Sequence, residues 1–143
     1  MSAKDKQKIV ALIKKICAHA YLATVDGRQP WVRSVSPIVE NDLSIWIATF
    51  RTSRKARQVK KNPNVCLEFV SQPNGDQCVI VFGAAKIITK PDVKKRIWKI
   101  APYDLSQYFP DGPPDKNYGL LRIAIKKIEW RDRWAKIKIY KPC

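Results

Sequence analysis

IWIATFRTSRKARQVKKNP, residues 45–63, holds three local signals in one short stretch: an apolar run, a polar corner and a basic helix. Residues 45–50 are β-branched and aromatic and read as a strand. Thr52 or Ser53 is the candidate N-cap of a helix over 54–61, which Asn62-Pro63 stops. Arg51, Arg54, Lys55, Arg57, Lys60 and Lys61 fall between 51 and 61 with no acid among them. The first turn of a helix carries unpaired N–H groups and roughly half a positive charge, so cations gain nothing from standing there and an anion relieves the repulsion. Ser53, Arg54 and Lys55 therefore make a candidate phosphate site of hydroxyl, backbone and cationic donors. The competing reading of the same residues is a solvated basic helix face.

On the N-terminal side, Ile9, Leu12, Ile13 and Ile16 follow helical spacing with lysines between them, which predicts an amphipathic helix over 4–18 lying on the body of the fold. Residues 20–25 read as a short strand, Asp26-Gly27 as a tight turn and 31–39, which contains Arg33, as the returning strand of a hairpin. Asn41-Asp42 makes the next turn, and 43–50 continues the meander into the basic helix. On the C-terminal side, 64–70, 77–88 and 118–130 read as strands, with a turn around Pro73-Asn74-Gly75. Between the last two lies a helix starting near Pro91, with Thr89 as the expected cap and Asp92 three residues on. A proline-rich link with Pro102, Pro110, Pro113 and Pro114 follows it. Residues 134–140 alternate Ile137 and Ile139 with Lys136 and Lys138, as a final strand with one solvated basic face would. Strands in adjacent pairing with helices at ends and corners predict a mainly β or α+β fold, an antiparallel barrel with peripheral helices. No regular strand–helix alternation supports a doubly wound sheet.

The chain of 143 residues suits one domain and builds a core without staples. Lys14 and Lys15 interrupt what a signal peptide needs as an unbroken apolar run, and no apolar stretch approaches the ~20 residues of a membrane span, so the reading is a cytoplasmic protein. Four cysteines (Cys17, Cys66, Cys78, Cys143) form no CxxC pair, and His19 is the one histidine, so neither a zinc site nor a histidine-dependent hydrolase can be assembled. Free, mostly buried thiols are expected, with Cys143 exposed. The net charge of +16 points to phosphate-rich partners, whether nucleic acid, anionic membrane or a phosphorylated cofactor.

Four segments in this order resemble the pyridoxamine 5′-phosphate oxidase-like family of FMN-binding split barrels, in its general-stress-protein branch. They are AYLATVDGRQPWVRSVSPI at 20–38, WIATFRTSRKARQVKKNPNV at 46–65, GDQCVIVFGAAKII at 75–88 and YFPDGPPDKNYGLLRIAI at 108–125. The resemblance implies a six-stranded antiparallel split β-barrel over 1–143, homodimeric, with FMN in a cleft at the subunit interface. It also implies roles. Arg33 falls where the family directs a strand arginine at the FMN phosphate, and Ala48 and Thr49 fall on the strand lining the flavin. Ser53, Arg54 and Lys55 match the family's phosphate cradle, and Gln77 a glutamine that reaches the flavin, in related enzymes across the interface. Trp130 lies near the family's aromatic beside the isoalloxazine ring, with Trp134 as its competitor.

The sequence departs from the pyridoxamine phosphate oxidases at its C-terminal end, where WRDRWAKIKIYKPC has arginines and no histidine of the substrate-holding segment. Vitamin B6 oxidation is therefore not implied, and the branch that uses the deazaflavin F420 shares the fold. The functional expectation is a flavin-dependent oxidoreductase passing a hydride or two electrons between the cofactor and a small substrate, which needs no conspicuous acid or base from the protein. A second reading is a non-catalytic module of the same fold that holds flavin, haem or nucleic acid. Arg131, Arg133, Lys136, Lys138 and Lys141, interleaved with Trp130, Trp134 and Tyr140, suit phosphate contacts with base stacking.

Overall fold

The computed structural model describes residues 3–16 and 20–142, so the readings of Cys17, His19 and Cys143 lie outside the described residues. In chain order the elements are α1 (Ala3–Ile16), β1 (Ala20–Asp26), β2 (Gln29–Val35), β3 (Ile38–Val39), β4 (Ile45–Phe50), α2 (Arg54–Lys61), β5 (Asn64–Val70), β6 (Cys78–Ile88), α3 (Pro91–Ile100), a single 3-10 turn (Leu105–Gln107), β7 (Tyr118–Arg131) and β8 (Lys138–Tyr140). The strands form one curled antiparallel sheet in the order β2-β1-β5-β6-β7-β4-β3, with β8 beside β7. None of these helices is long and apolar enough to cross a membrane.

The strand expected over 31–39 is two. β2 pairs with β1 as far as Val35, and β3 pairs with β4 from Ile38. Between them Pro37 lacks an N–H for either ladder and steers Ser36 toward an extended conformation, so the chain bends and changes partner there. The six strands expected from sequence are recovered when β2 and β3 are counted as one bent strand and β8 is set apart. The bend has a larger consequence: β2 and β4 have no pairing, and the barrel is left split between them.

Two apolar clusters hold the sheet. The main core takes Ile9, Leu12 and Ile13 of α1 with Leu22, Ile45, Ile47, Leu67, Val81, Leu121 and Ile128 from the strands. A second cluster takes Ile97 of α3, Leu105 and Phe109 with Ile38, Trp46, Tyr118 and Leu120. β4 and the first half of β7 contribute to both, and for this reason they read as nearly continuous apolar runs with little alternation. α2 closes one end of the barrel with Ala56, Gln58 and Val59 buried.

Two local expectations are corrected, and the choice of cap for α2 is decided. Lys90, not Thr89, occupies the N-cap of α3 and makes no side-chain cap, because Pro91 sits in the first helical turn and sets the start one residue later. Ser53 rather than Thr52 caps α2, its Oγ accepting from the Ala56 N–H at 3.2 Å. The tail pairs only over Lys138–Tyr140, since Arg133 (φ 58°) and Trp134 (φ 54°) turn the chain before it. Ile137 and Ile139 stay 51% and 52% exposed, so the tail's solvated surface is apolar as well as basic.

The β6–β7 register shifts between Phe82 and Gly83. A Cβ on Gly83 would stand 2.3 Å from the Ala124 carbonyl oxygen, a backbone atom that cannot swing away. Gly83→Ala is therefore expected to destabilise the fold by about 1–3 kcal/mol. A thermal melt checks this, and an unchanged midpoint would mean that the β6–β7 pairing yields at the bulge.

Candidate functional site

A cleft of about 1220 Å³ opens where β2 and β4 part. Residues 34–41 form one wall and residues 47–50 with Lys55 the other; the end of α1 and residues 100–109 complete the rim. The Tyr103 hydroxyl donates to the Ser36 carbonyl at 2.9 Å and ties the segment after α3 to the bend. Burial pushes this phenol up to about 12, so it stays neutral. The remaining surface mixes polar and apolar groups, with Ile38, Phe50, Leu105, Tyr108 and Phe109 forming its apolar and aromatic part. Glu40, the acid on this wall, is already engaged: it accepts from Trp46 Nε1 at 2.7 Å and pairs with Arg96 at 2.6 Å.

At the start of α2 the cleft meets a cluster of cations. Trp31 and Arg33 are two residues apart on β2 and share its face. Arg54 lies over the Trp31 ring at 4.7 Å, so a cation–π contact stations its guanidinium on that face beside Arg33. Burial, and then the Arg54 charge, lower the pKa of Arg33. Burial, and then the Arg33 charge, lower that of Lys55. Arg33 thus lies within electrostatic reach of both Arg54 and Lys55. The positive end of α2 adds to the same field. Thr49 and Ser53 set their hydroxyl oxygens 3.0 Å apart at the junction of β4 and α2. A phosphate with its several acceptor oxygens suits this donor set of clustered cations, hydroxyls and helix N–H groups.

The structure brings together Arg33, Ala48, Thr49, Ser53, Arg54 and Lys55, which converge on the split from β2, β4 and α2. Ala48, Thr49 and Lys55 line the cleft itself. Gln77 and Trp130 do not join them within one chain. Gln77 precedes β6, its Nε2 donating to Asp132 Oδ1 at 2.7 Å and its backbone N–H to Ser71 Oγ at 3.0 Å. Trp130 is buried in the main core. Trp134 is 63% exposed, under the Arg131 guanidinium.

Two buried residues of the corner, Thr24 and Gln58, escaped the sequence reading. Gln58 follows Arg54 and Lys55 by four and three residues, so helical spacing alone puts it on their face; that signal was available. Thr24, on a strand, offered none. Cys66 and Cys78 are free. Burial and the hydrogen bond to Glu68 push the Cys78 thiol up to about 11, which leaves it unreactive at neutral pH.

With this geometry in view, comparison with known proteins is informative. The sequence pattern described as pyridoxamine 5′-phosphate oxidase matches residues 6–131. General stress protein 26 of Bacillus subtilis (strain 168) is 34% identical over 109 residues, which cover 75% of this chain and 74% of that protein. Among solved structures, a Clostridium acetobutylicum protein related to general stress protein 26 superposes with a TM-score of 0.79 at 19% identity, over 99% of this chain and 96% of that one. A haem-binding protein from Mycobacterium smegmatis superposes with a TM-score of 0.72 at 11% identity, over 99% of this chain and 59% of that one.

The cation cluster predicts a pH dependence. Folded Lys55 releases its proton more readily than an ordinary lysine. Between its lowered pKa and the ordinary lysine value the unfolded chain holds more protons, so this group's contribution to stability rises with pH there. Below that window the charged Lys55 costs stability in the ligand-free protein. Lys94 is also lowered by burial, so the informative quantity is a difference. Lys55→Met is expected to be more stable than wild type at pH 7, with the gap closing as pH rises through the window. Urea unfolding at several pH values measures it, and a pH-independent gap would remove the electrostatic account.

Proposed function

This chain belongs to the pyridoxamine 5′-phosphate oxidase family, and from that premise we propose that it binds FMN in the split of its barrel and works as an oxidoreductase on a small substrate. The observation that carries the reading is the cluster of Arg33, Arg54 and Lys55 at the capped N-terminus of α2, where none of the three has an ion-pair partner among the described residues. A dianionic phosphate monoester satisfies it, and the ring system of the same molecule then extends along the apolar walls. When bound, FMN supplies two-electron and hydride chemistry.

The protein's part is position and solvent exclusion. Arg33, Arg54, Lys55 and the Ser53 hydroxyl hold the phosphate. Ala48 and Thr49 of β4, opposite residues 34–36, give the flat walls between which a conjugated ring fits. Tyr103, neutral and tied to Ser36, fixes one edge of that slot. The split, open in one chain, is completed by a second copy in a homodimer. Gln77 reaches the flavin from that second copy; of the two tryptophans, Trp134 has the exposure to do the same.

The haem-binding relative shares the fold, yet the corner here favours FMN. Among the described lining residues the side chains able to ligate haem iron are Tyr103 and Tyr108. Tyr103 is held as a neutral phenol donating to a backbone carbonyl. A phosphate fits three clustered cations without any such requirement.

The test compares flavins that differ only at the phosphate. Wild type should bind FMN with a shifted visible spectrum and quenched fluorescence, and much more tightly than riboflavin. The double variant Arg54→Ala, Lys55→Ala should lose at least about a hundred-fold in FMN affinity, two charge-assisted contacts at about 1.5–3 kcal/mol each, with riboflavin unaffected. Equal loss for both flavins would remove the phosphate assignment. Preference for F420 or haem over FMN in the same titration would replace the cofactor.

A further inference from the structure

We propose that Gln58 and Thr24 are positioning residues for the anion site, holding the Arg33 guanidinium by one edge so that its other edge is presented to the ligand's phosphate. The proposal rests on the phosphate reading above and goes beyond it by assigning roles to two buried side chains that cannot themselves bind the anion's charge.

The geometry is a closed ring. Arg33 Nη1 donates to Thr24 Oγ1 at 2.7 Å and Nη2 to Gln58 Oε1 at 2.7 Å. The Thr24 hydroxyl in turn donates to Gln58 Oε1 at 2.5 Å. The second Nη1 hydrogen goes to the Leu22 carbonyl at 3.2 Å. Thr24 and Gln58 are 1% and 4% exposed, so the ring cannot reorganise around water. A guanidinium has five N–H donors. Three are used here, and the two left over, Nε–H and one on Nη2, lie along a single edge. That edge is the fork which meets two oxygens of a phosphate or carboxylate together.

Two features separate positioning from plain packing. The Gln58 Nε2 is buried and, among the described residues, has no hydrogen-bond partner. An orphaned amide costs about 1–3 kcal/mol, so what this residue contributes is its Oε1. The residue is also neutral. A glutamate at 58 would clamp Arg33 at least as firmly, yet its charge would cancel the one the phosphate needs. Glutamine is the side chain that grips the guanidinium while leaving its charge available.

Thr24→Val removes the hydroxyl at nearly constant shape, Gln58→Met removes the acceptor, and Gln58→Glu keeps the grip but adds a charge. Each is titrated with FMN and riboflavin by flavin fluorescence, and with inorganic phosphate by the ¹H–¹⁵N signal of Arg33 Nε. Thr24→Val and Gln58→Met are each expected to weaken FMN about ten-fold, the scale of one hydrogen bond to a charged group, with riboflavin affinity unchanged. Thr24→Ser should restore FMN binding. Gln58→Glu should keep or raise the melting temperature and still weaken FMN, which a purely structural role would not produce. Riboflavin affinity and the Arg33 signal report whether each variant is folded.

FMN affinity equal to wild type in both Thr24→Val and Gln58→Met overturns the proposal, as does a wild-type Arg33 signal unmoved by both phosphate and FMN. A wild-type signal that moves with phosphate, in a protein that does not prefer FMN to riboflavin, removes the flavin reading and leaves the positioning role standing.

Discussion

An antiparallel barrel closes only if every strand finds a partner on each side, and the chain from Gln29 to Val39, by changing partner midway, leaves that closure incomplete. Its first half completes the ladder of β1, its second that of β4. Pro37 makes the division permanent, since it cannot donate to a ladder and restricts the residue before it. Everything distinctive about the molecule follows from this bend. The split it leaves is the cleft, and α2 starts at the end of β4 on its far wall. The segment after α3 is anchored to the bend itself through Tyr103 and the Ser36 carbonyl.

How strands are covered explains what their sequences look like. β4 and the first half of β7 serve the main core on one face and the cluster under α3 on the other, so both are apolar on consecutive residues. β2, an edge strand, is exposed over most of its length and carries Trp31, Val32 and Arg33. That edge is where the protein can station charge and aromatic surface next to α2 without disturbing the core. The cation–π contact of Arg54 on Trp31 and the ring around Arg33 both use it.

Legibility varied with the kind of signal. The α2 boundaries, Arg54 to Lys61, came directly from sequence because a hydroxyl cap and an Asn-Pro stop are local chemistry. The strands at 64–70 and 118–130 were legible from apolar runs alone. The break at Ser36-Pro37 was missed because β-branched and apolar residues continue on both sides of it. The cap of α3 was misassigned because the Thr89 to Asp92 spacing imitates a cap, while Pro91 decides where the helix begins. Alternation in the tail suggested one buried face, yet so short a strand at a sheet edge has nothing to bury Ile137 and Ile139 against. In the candidate site, the residues on adjacent elements, Arg33 and 48–55, do converge. Gln77 and Trp130 stand apart from that corner, Gln77 held by Asp132 and Trp130 buried in the main core, because long-range packing rather than a local signal decides both.

The corner at α2 breaks the rules by which the rest of the chain is stable. Arg33 and Lys55 stand together in partial burial with the exposed Arg54 beside them, the Gln58 amide nitrogen is buried without a partner among the described residues, and the Thr24 hydroxyl and the Gln58 carbonyl accept from Arg33. The charge repulsion and the orphaned amide raise the free energy of the ligand-free fold, and on the reading proposed above a multiply charged oxyanion relieves the repulsion. Elsewhere the large positive charge is dispersed: Lys60 and Lys61 oppose the negative end of α2, and Arg96 has Glu40. On the FMN reading proposed above, such a site binds through charge already in place, so its selectivity would lie at the phosphate, while the walls of the cleft would choose what the bound group reacts with.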